Sequence, residues 1–91
     1  MKKSYKDLCV LVASVKNEAE ADLLLSDLLT PQERAVLAER WQIVQELAKG
    51  TPQREIAEKM GVSIATVTRG SLAFQYGKKG FLYFLKKLKK L

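Results

Sequence analysis

Apolar residues recur at helical spacing along most of the chain, so the pattern predicts an all-α protein. The first helix is predicted over residues 5 to 16, with Ser4 and Asp7 as its N-terminal capping pair. The second is predicted over residues 18 to 28, where Asn17 repeats the capping pattern and leucines cover much of the circumference. So wide an apolar face indicates burial against a partner chain.

A third, long helix is predicted from the Thr-Pro-Gln-Glu sequence at 30 to 33 as far as about Lys49, ending at Gly50. Thr30 is a capping residue, a proline follows at the first position, and Glu33 completes the capping box. Arg40 lies beside the apolar stripe and therefore needs a partner. This long apolar stripe predicts that the third helix is the central one. The residues of the stripe are Val36, Leu37, Trp41, Val44, Leu47 and Ala48.

Residues 51 to 74 have the pattern of a helix-turn-helix. Thr51 is expected to cap the first helix and Pro52 to open it, because a missing N–H costs nothing at that position. Gly61 can supply the positive φ of a sharp turn, and Ser63 is expected to cap the second helix. The positions predicted to face inward, or to fill the space between the helices, are Ile56, Ala57, Met60, Val62, Val67 and Leu72.

The outer side of the second motif helix is small and polar, and in this motif the N-terminal half of that helix enters a major groove. No large apolar residue covers this surface, as packing inside a core would require. The alternative is a helical hairpin within a core. The residues predicted to contact DNA are Gln53, Arg54, Ser63, Ile64, Ala65, Thr66, Thr68 and Arg69, with Lys49 and Lys59.

The end of the chain is predicted as a linker over residues 75 to 80, followed by a basic amphipathic helix over residues 81 to 91. Its apolar positions form one stripe, and lysines lie opposite. Three interpretations stay open: packing in a dimer core, a frayed tail gathering on DNA or on its own dimer, and a helix at a membrane interface.

Charge is divided unevenly along the chain. Residues 1 to 48 carry six basic and eight acidic side chains, whereas residues 49 to 91 carry ten basic and two acidic ones. The half with the helix-turn-helix therefore has the electrostatic footprint of a phosphate-binding surface. A basic tail that aids solubility and a membrane-surface helix are the alternatives.

The residue composition argues against an enzyme. The chain has no histidine and a single cysteine, Cys9, which leaves Ser-His and Cys-His catalysis, zinc fingers and disulfide frameworks without the groups they need. No metal or other cofactor that depends on these groups is expected. A single cysteine without a disulfide partner fits a protein of the reducing cytoplasm. No apolar run approaches the length that spans a bilayer, so a membrane is not expected as a partner.

Length predicts one small domain over residues 1 to 91. It would divide into dimerisation helices at 1 to 29, the central helix at 30 to 50, the helix-turn-helix at 51 to 74, and a linker with a C-terminal dimerisation helix at 75 to 91. A domain of 91 residues buries too little surface to be comfortably stable alone, so a homodimer is predicted.

The stretch LLTPQERAVLAERWQIVQELAKG followed by TPQREIAEKMGVSIATVTRGS resembles the Trp repressor superfamily, over about residues 23 to 72. The specific marks are the Leu-Thr-Pro-x-Glu-Arg start, the arginine ten residues after that threonine, Gln-Arg-Glu, and Ile-Ala-Thr-Val-Thr-Arg-Gly-Ser. The resemblance implies an intertwined dimer whose two reading heads face successive major grooves of an operator. It also implies a bacterial, cytoplasmic, nucleoid-associated repressor with L-tryptophan or a related amino acid as corepressor.

The resemblance further implies a ligand site of five residues: Thr30, Arg40, Arg69, Gly70 and Leu29. Arg40 and Arg69 match arginines that sandwich the indole ring of the ligand, and the arginine at Arg69 also reaches the ligand carboxylate. Thr30 matches a threonine near that carboxylate, and Gly70 matches a glycine whose missing side chain leaves room for the ring. Stacked guanidinium planes would use cation-π attraction, which lysine cannot reproduce. The plainer interpretations are an N-cap for Thr30, an ion pair with nearby Glu33 or Glu39 for Arg40, and a phosphate contact for Arg69.

The chain also departs from the superfamily pattern. Ala73 offers no hydroxyl to the ligand ammonium, Asp27 stands in place of an apolar residue, and Ala57 replaces a DNA-contacting lysine. Gln-Tyr-Gly at 75 to 77 with Phe81 is similar to a second branch with no established tryptophan response. Two alternatives therefore stay open: a ligand-independent DNA-binding or architectural protein, and an interaction protein whose C-terminal helix docks on a membrane or partner.

Overall fold

The computed structural model describes all 91 residues of the chain. It contains six helices and no strand, which confirms the all-α prediction. The chain divides into two compact units, Met1–Arg34 and Ala35–Leu91, with the boundary inside the third helix. A single domain over the whole chain stays a prediction. The helices are α1 (Lys3–Ala13), α2 (Glu18–Leu28), α3 (Pro31–Ala48), α4 (Gln53–Met60), α5 (Ile64–Tyr76) and α6 (Gly80–Lys87).

The predicted caps of the first two helices have different outcomes. Helix α1 begins at Lys3, with Lys2 in an extended conformation as its N-cap, so the capping role predicted for Ser4 is wrong. The first turn of α1 is exposed, so its backbone N–H groups, which have no partner within the helix, can donate hydrogen bonds to water. Helix α2 begins as predicted, because the Asn17 side chain accepts a hydrogen bond from the Glu20 N–H at 2.9 Å. Glu20 Oε1 in turn accepts from the Lys16 N–H at 3.0 Å.

Helices α1 and α2 contain no buried residue, although both are rich in apolar side chains. Val10 is 62% exposed and Leu23 is 71% exposed. Large apolar side chains this open to water are costly on a monomer surface. The apolar faces of the Met1–Arg34 unit therefore need a covering surface.

The start of α3 has the predicted capping box. The Glu33 N–H donates to Thr30 Oγ1 at 3.1 Å, and the Thr30 N–H donates to Glu33 Oε1 at 2.8 Å. The Thr30 backbone N–H, followed by its hydroxyl, holds the pKa of the Glu33 carboxyl below its ordinary value. Arg34 donates to the carbonyl oxygens of Ser26 at 3.2 Å and Leu29 at 3.1 Å, which satisfies acceptors at the end of α2.

The core of the Ala35–Leu91 unit joins α3, α4 and α5. Its centre consists of Ile43, Ile56 and Val67, each at most 1% exposed. Ile43 was not among the predicted inward positions, and it lies where both motif helices pack on α3. Around this centre pack Leu47, Ala57, Met60 and Val62.

Three positions predicted as buried are open to solvent. Val36 and Leu37 are each 47% exposed, and Leu72 is 52% exposed, so these predictions are wrong for the chain as described. In α3 the buried residues are Ile43 and Val44, in the C-terminal part of the helix. The predicted stripe is therefore covered at that end and open near its start.

The connection from α3 to α4 differs from the predicted cap. Helix α4 begins at Gln53 with Pro52 as its N-cap, so the capping role predicted for Thr51 is wrong. Gly50 turns the chain with φ 88°, and Thr51 is directed back to α3. Its N–H donates to the Glu46 carbonyl oxygen at 3.1 Å, and its hydroxyl donates to Glu46 Oε1 at 3.4 Å.

Helix α5 is longer than predicted, and helix α6 is shorter. Helix α5 continues to Tyr76, and Lys79 has φ 67° in the short connection that follows. Helix α6 ends at Lys87, and its Leu85 is fully buried. The Phe81 ring stacks on Trp41 of α3 with centroids 6.1 Å apart.

Every helix falls short of the length or the apolar character needed to cross a bilayer.

Candidate nucleic-acid interface and ligand cleft

Helices α4 and α5 form the predicted helix-turn-helix. Gly61 ends α4 with φ 66° in the left-handed region, and the Val62 N–H then donates to the Ala57 carbonyl oxygen at 3.0 Å. Ser63 caps α5 by accepting a hydrogen bond from the Thr66 N–H at 3.1 Å. The glycine turn, the filling valine and the serine cap are therefore confirmed.

The two sides of α5 have opposite environments. On the inner side Val67 is completely buried against α3 and α4, which fixes the rotation of the helix. On the outer side Ile64 is 51% exposed, and Ala65, Thr68 and Arg69 are exposed as well. Exposed aliphatic groups beside polar ones suit a major groove, where thymine methyl groups and base-edge acceptors lie together.

A polar contact joins the two motif helices at this surface. The Thr68 hydroxyl lies 2.9 Å from the Ile64 carbonyl oxygen and 3.1 Å from Gln53 Oε1, so one proton is shared between two acceptors. This contact holds the Gln53 amide beside α5. Its NH₂ group then remains as the donor toward a ligand.

The basic residues near the motif differ in how they are held. Arg54 is exposed on α4 and has no side-chain hydrogen bond within the chain, so its guanidinium can approach a base or a phosphate. Lys49 and Lys59 instead lie 3.1 Å and 3.0 Å from the two carboxylate oxygens of Glu46. Both lysine side chains stay more than 60% exposed, while that of Glu46 is 12% exposed.

Glu46 thus joins the end of α3 to the end of α4. Hydrogen bonds from Lys59, and next from Lys49, hold the pKa of the Glu46 carboxyl below its ordinary value. With the Thr51 contacts, the carboxylate anchors the turn and orients two ammonium groups. Sequence reasoning assigned no role to Glu46, although its spacing of three residues from Lys49 is a recognisable signal.

A cleft of about 130 Å³ lies between α3 and α5. Its floor is the buried Ile43, and the two arginines predicted to flank a ligand ring, Arg40 and Arg69, both line it. The ion pairs of the chain are the two at Glu46, so neither arginine is paired with a glutamate. The cleft is lined by Val36, Glu39, Arg40, Ile43, Thr66 and Arg69.

Gly70 has a packing role that the sequence did not predict. It is buried, and a Cβ at this position would lie 2.9 Å from Ile43 Cγ2. Gly70 therefore allows α5 to approach α3 closely beside the cleft. Its predicted contact with a ligand ring stays a prediction. Thr30 and Leu29 belong to the Met1–Arg34 unit, and their part in a ligand site also stays a prediction.

Two residues discussed from the sequence lie elsewhere. Ala73 lines an apolar groove with Phe81 and Phe84, and Asp27 is exposed in the Met1–Arg34 unit. The carboxylate that does line the cleft is Glu39, which the sequence reasoning treated only as a neighbour of Arg40. The available signal was helical spacing, because residues 36, 39, 40 and 43 share one face of α3.

Comparison with known proteins gives consistent matches. A sequence model of the family described as Trp repressor protein matches residues 3–89, a span that includes the motif and the cleft. The chain is 48% identical over 71 residues to the Trp operon repressor homolog of Vibrio vulnificus, covering 74% of this chain and 70% of that protein. It is 49% identical over 68 residues to the homolog of Photobacterium profundum, covering 74% and 66%. For the Vibrio cholerae homolog the identity is 45% over 68 residues, with the same coverage.

Proposed function

The chain belongs to the Trp repressor family, and on this basis we propose that it is a transcriptional repressor that binds an operator in double-stranded DNA. The observation that carries the proposal is the contrast within α5. Val67 is fully buried in the core on the inner side, while Ile64 on the outer side is 51% exposed. A rigidly held helix with an open outer face is what major-groove reading requires.

In the proposed complex the N-terminal half of α5 lies in the major groove, and Ile64 and Ala65 contact base methyl groups. Arg54 is placed at the start of α4, where a bidentate contact with guanine is the strongest sequence-specific contact it can make. Lys49 and Lys59 bind phosphates and supply affinity without sequence preference. The family is one of regulators, and we assign the protein no catalytic role.

We propose that the active form is a homodimer. The support is the Met1–Arg34 unit, in which neither α1 nor α2 buries a residue although both present large aliphatic side chains. A second copy would cover these faces and place two α5 helices on one duplex. Dimeric helix-turn-helix proteins bind half-sites about one helical turn apart, so the operator would be pseudo-palindromic.

The test is selection from random double-stranded DNA, followed by affinity measurements on the selected site and on a scrambled site. We expect enrichment of two related half-sites with centres about 10 base pairs apart. The selected site should bind about a thousandfold or more tightly than the scrambled one. Equal affinity for both sequences at every salt concentration would contradict operator recognition.

We also propose that the cleft binds an amino-acid corepressor, with L-tryptophan as the first candidate. Arg40 and Arg69 line one cleft from two helices, and neither has a partner within the chain. A planar ring between two guanidinium groups gains cation-π attraction, and the ligand carboxylate gains a charged donor.

Calorimetry with L-tryptophan tests this ligand on the wild type and on Arg40→Lys, which keeps the charge and loses the planar donor. We expect heat of binding for the wild type and a several-fold weaker affinity for the variant. Gly70→Arg is a poor choice of variant, because even a Cβ there collides with Ile43. If tryptophan gives no heat and leaves operator affinity unchanged, the ligand-independent alternative replaces this proposal.

As to location, we propose that the protein acts in the cytoplasm in association with the nucleoid. The support is its proposed partner, chromosomal DNA, together with the net positive charge of residues 49 to 91. Fractionation of cells before and after nuclease treatment would test it, because release by nuclease is expected only if DNA holds the protein.

A further inference from the structure

One carboxylate near the end of α3 holds two lysines, one just before α4 and one in the last turn of α4. Glu46 Oε2 lies 3.1 Å from Lys49 Nζ, and Glu46 Oε1 lies 3.0 Å from Lys59 Nζ. We infer that these three residues form a clamp for a single phosphodiester of the DNA backbone, in which Glu46 positions both ammonium groups. The inference rests on the DNA binding proposed above and names a binding site within it. Glu46, Lys49 and Lys59 are termed the phosphate clamp.

Glu46 is itself fixed by the turn that follows α3. Its carbonyl oxygen accepts hydrogen bonds from the Lys49 N–H at 3.2 Å and the Thr51 N–H at 3.1 Å, and its Oε1 accepts from the Thr51 hydroxyl at 3.4 Å. The Glu46 side chain is only 12% exposed, unlike the carboxylates of ordinary surface ion pairs, which contribute little. It is therefore a shielded, well-held point to which two flexible side chains are tied.

This arrangement lowers the entropic cost of binding an anion. A lysine side chain has several rotatable bonds, and it loses rotamer freedom when a contact fixes it. In this chain Glu46 restricts Lys49 and Lys59 before any DNA is bound. Groups that are ordered in advance bind more tightly than groups that must be ordered by the ligand.

Both lysines keep hydrogen-bond donors for a second anion. An ammonium group has three N–H donors, and Glu46 is the only partner of either lysine within the chain. The Lys49 and Lys59 side chains are 65% and 62% exposed, so their remaining donors are open to solvent. The carboxylate already bridges the two ammonium groups with its two oxygens. A phosphodiester also presents two unesterified oxygens, so it can bridge the same pair from the solvent side.

The charges of the clamp match a phosphodiester. Two ammonium groups and one carboxylate carry a net charge of +1, and a phosphodiester carries one negative charge, so the complex is neutral. A phosphate monoester carries close to two negative charges, and the second one would be opposed by Glu46. The clamp therefore suits the internal phosphates of a DNA strand better than a terminal or free phosphate.

The location of the clamp fits the same partner. In a helix-turn-helix the first helix crosses the DNA backbone while the second enters the major groove. Lys59 lies on that first helix, two residues before the Gly61 turn, and Lys49 lies just before the helix begins. No acidic residue follows Glu58, so residues 59 to 91 add eight basic side chains and no repulsion toward DNA.

The same charge count predicts that neither lysine is sufficient alone. If Lys59 is removed, Lys49 and Glu46 remain as a neutral pair, and the attraction for a phosphate is lost. Removing Lys49 leaves Lys59 and Glu46 in the same condition. Two lysines that bound separate phosphates would instead lose one contact each, at different positions of the DNA.

The experiment replaces single phosphates of the selected operator with uncharged methylphosphonate, one position at a time, and measures the affinity of the full chain. For the wild type we expect one position in each half-site where the replacement weakens binding about tenfold, because a charge-assisted contact is lost. In Lys49→Ala and in Lys59→Ala, replacement at that same position should cost less than about threefold, because the contact is already absent.

Glu46→Gln tests the positioning role. The substitution removes a negative charge, so affinity for scrambled DNA should be unchanged or higher, whereas a role limited to structure would weaken binding to all DNA. The loss at the clamp position should nevertheless fall below about threefold, since the lysines are no longer fixed on one phosphate. Glu58→Gln makes the same charge change beside Lys59 without touching the clamp, and it should keep the tenfold loss. Melting curves establish that each variant is folded.

The outcomes separate this inference from the proposed function. If the operator is bound specifically but Lys49→Ala and Lys59→Ala lose contacts at different phosphates, the shared clamp is refuted while operator recognition stands. If Glu46→Gln keeps the tenfold loss at one position, Glu46 does not position the lysines. If selection yields no operator at all, the proposed function is refuted and this inference with it.

Discussion

Gly70 of α5 approaches Ile43 of α3 so closely that a Cβ at position 70 would lie 2.9 Å from Ile43 Cγ2. This contact sets how near the two helices come beside the cleft that Arg40 and Arg69 line. A glycine that looks like a space for a ligand ring in the sequence is therefore first a requirement of helix packing.

The first prediction concerns this contact. Gly70→Ala should lower the free energy of unfolding by about 1 to 2 kcal/mol, because overpacking costs about 1 to 3 kcal/mol and alanine returns up to about 1 kcal/mol of helix propensity. Urea denaturation measures the difference. Gly80→Ala is the matched control, since no atom lies within 4 Å of its added Cβ. Equal stability of Gly70→Ala and the wild type would contradict the close packing.

The second prediction compares two isoleucines of the helix-turn-helix. Ile56→Ala removes a fully buried side chain and should cost about 2 to 5 kcal/mol of stability. Ile64→Ala truncates a side chain that is 51% exposed, so its stability should change by less than about 0.5 kcal/mol while operator affinity falls. Thermal melts and operator titrations distinguish the two. A marked loss of stability in Ile64→Ala would place that residue in the core instead.

The third prediction separates sequence preference from general affinity. Arg54→Ala should lose about 1 to 3 kcal/mol of discrimination at one base pair of the operator. Lys59→Ala should weaken binding to all sequences alike and reduce the salt slope by about 1. Affinities measured on the operator and on single-base variants at several salt concentrations give both quantities. A Lys59→Ala protein with a new preferred sequence and an unchanged salt slope would contradict the assignment.

The fourth prediction concerns the pH dependence of stability. Lys59 and Lys49 hold the pKa of the Glu46 carboxyl below 4.5, its ordinary value, in the folded chain. A depressed folded pKa stabilises the protein fully above the unfolded value, and this stabilisation is lost as pH falls through the folded pKa. Glu46→Gln should therefore lose less stability than the wild type when urea midpoints are followed below about pH 4.5.

Glu58→Gln is the control for that profile, because Glu58 is exposed and makes no ion pair. It should follow the wild-type curve. Glu33, whose pKa is also lowered, contributes with the same sign and accounts for acid sensitivity that remains in Glu46→Gln. Coincident curves for Glu46→Gln and the wild type would show that the two lysine contacts do not stabilise the folded protein.

The fifth prediction concerns assembly. The open faces of α1 and α2 should hold two chains together, so sedimentation equilibrium should give twice the chain mass at micromolar concentration. Leu23→Asp, which places a charge where a side chain is 71% exposed in the single chain, should shift the equilibrium toward monomer. A stable, folded wild-type monomer at that concentration would refute the dimer.

The sequence by itself determined the helices and most of their limits, because these depend on interactions within a few residues. The Thr30 and Glu33 capping box, the Asn17 and Ser63 caps, and the positive φ of Gly61 all follow from local hydrogen bonding and local sterics. Local patterns did not identify the N-cap of α4, which is Pro52 and not the predicted Thr51. At Thr51 the contact with Glu46, five residues earlier, replaced the predicted cap.

Only the tertiary structure decided which residues share a site, because that depends on how α3, α4 and α5 cross. Helical spacing predicted an apolar stripe on α3 but not that Ile43 would be its deepest member. It placed Glu39 beside Arg40 in the chain but could not bring Arg69 to the same cleft. The gap between α3 and α5, and with it the grouping of these three charges, is set by the contact of Gly70 with Ile43, which are 27 residues apart in the sequence.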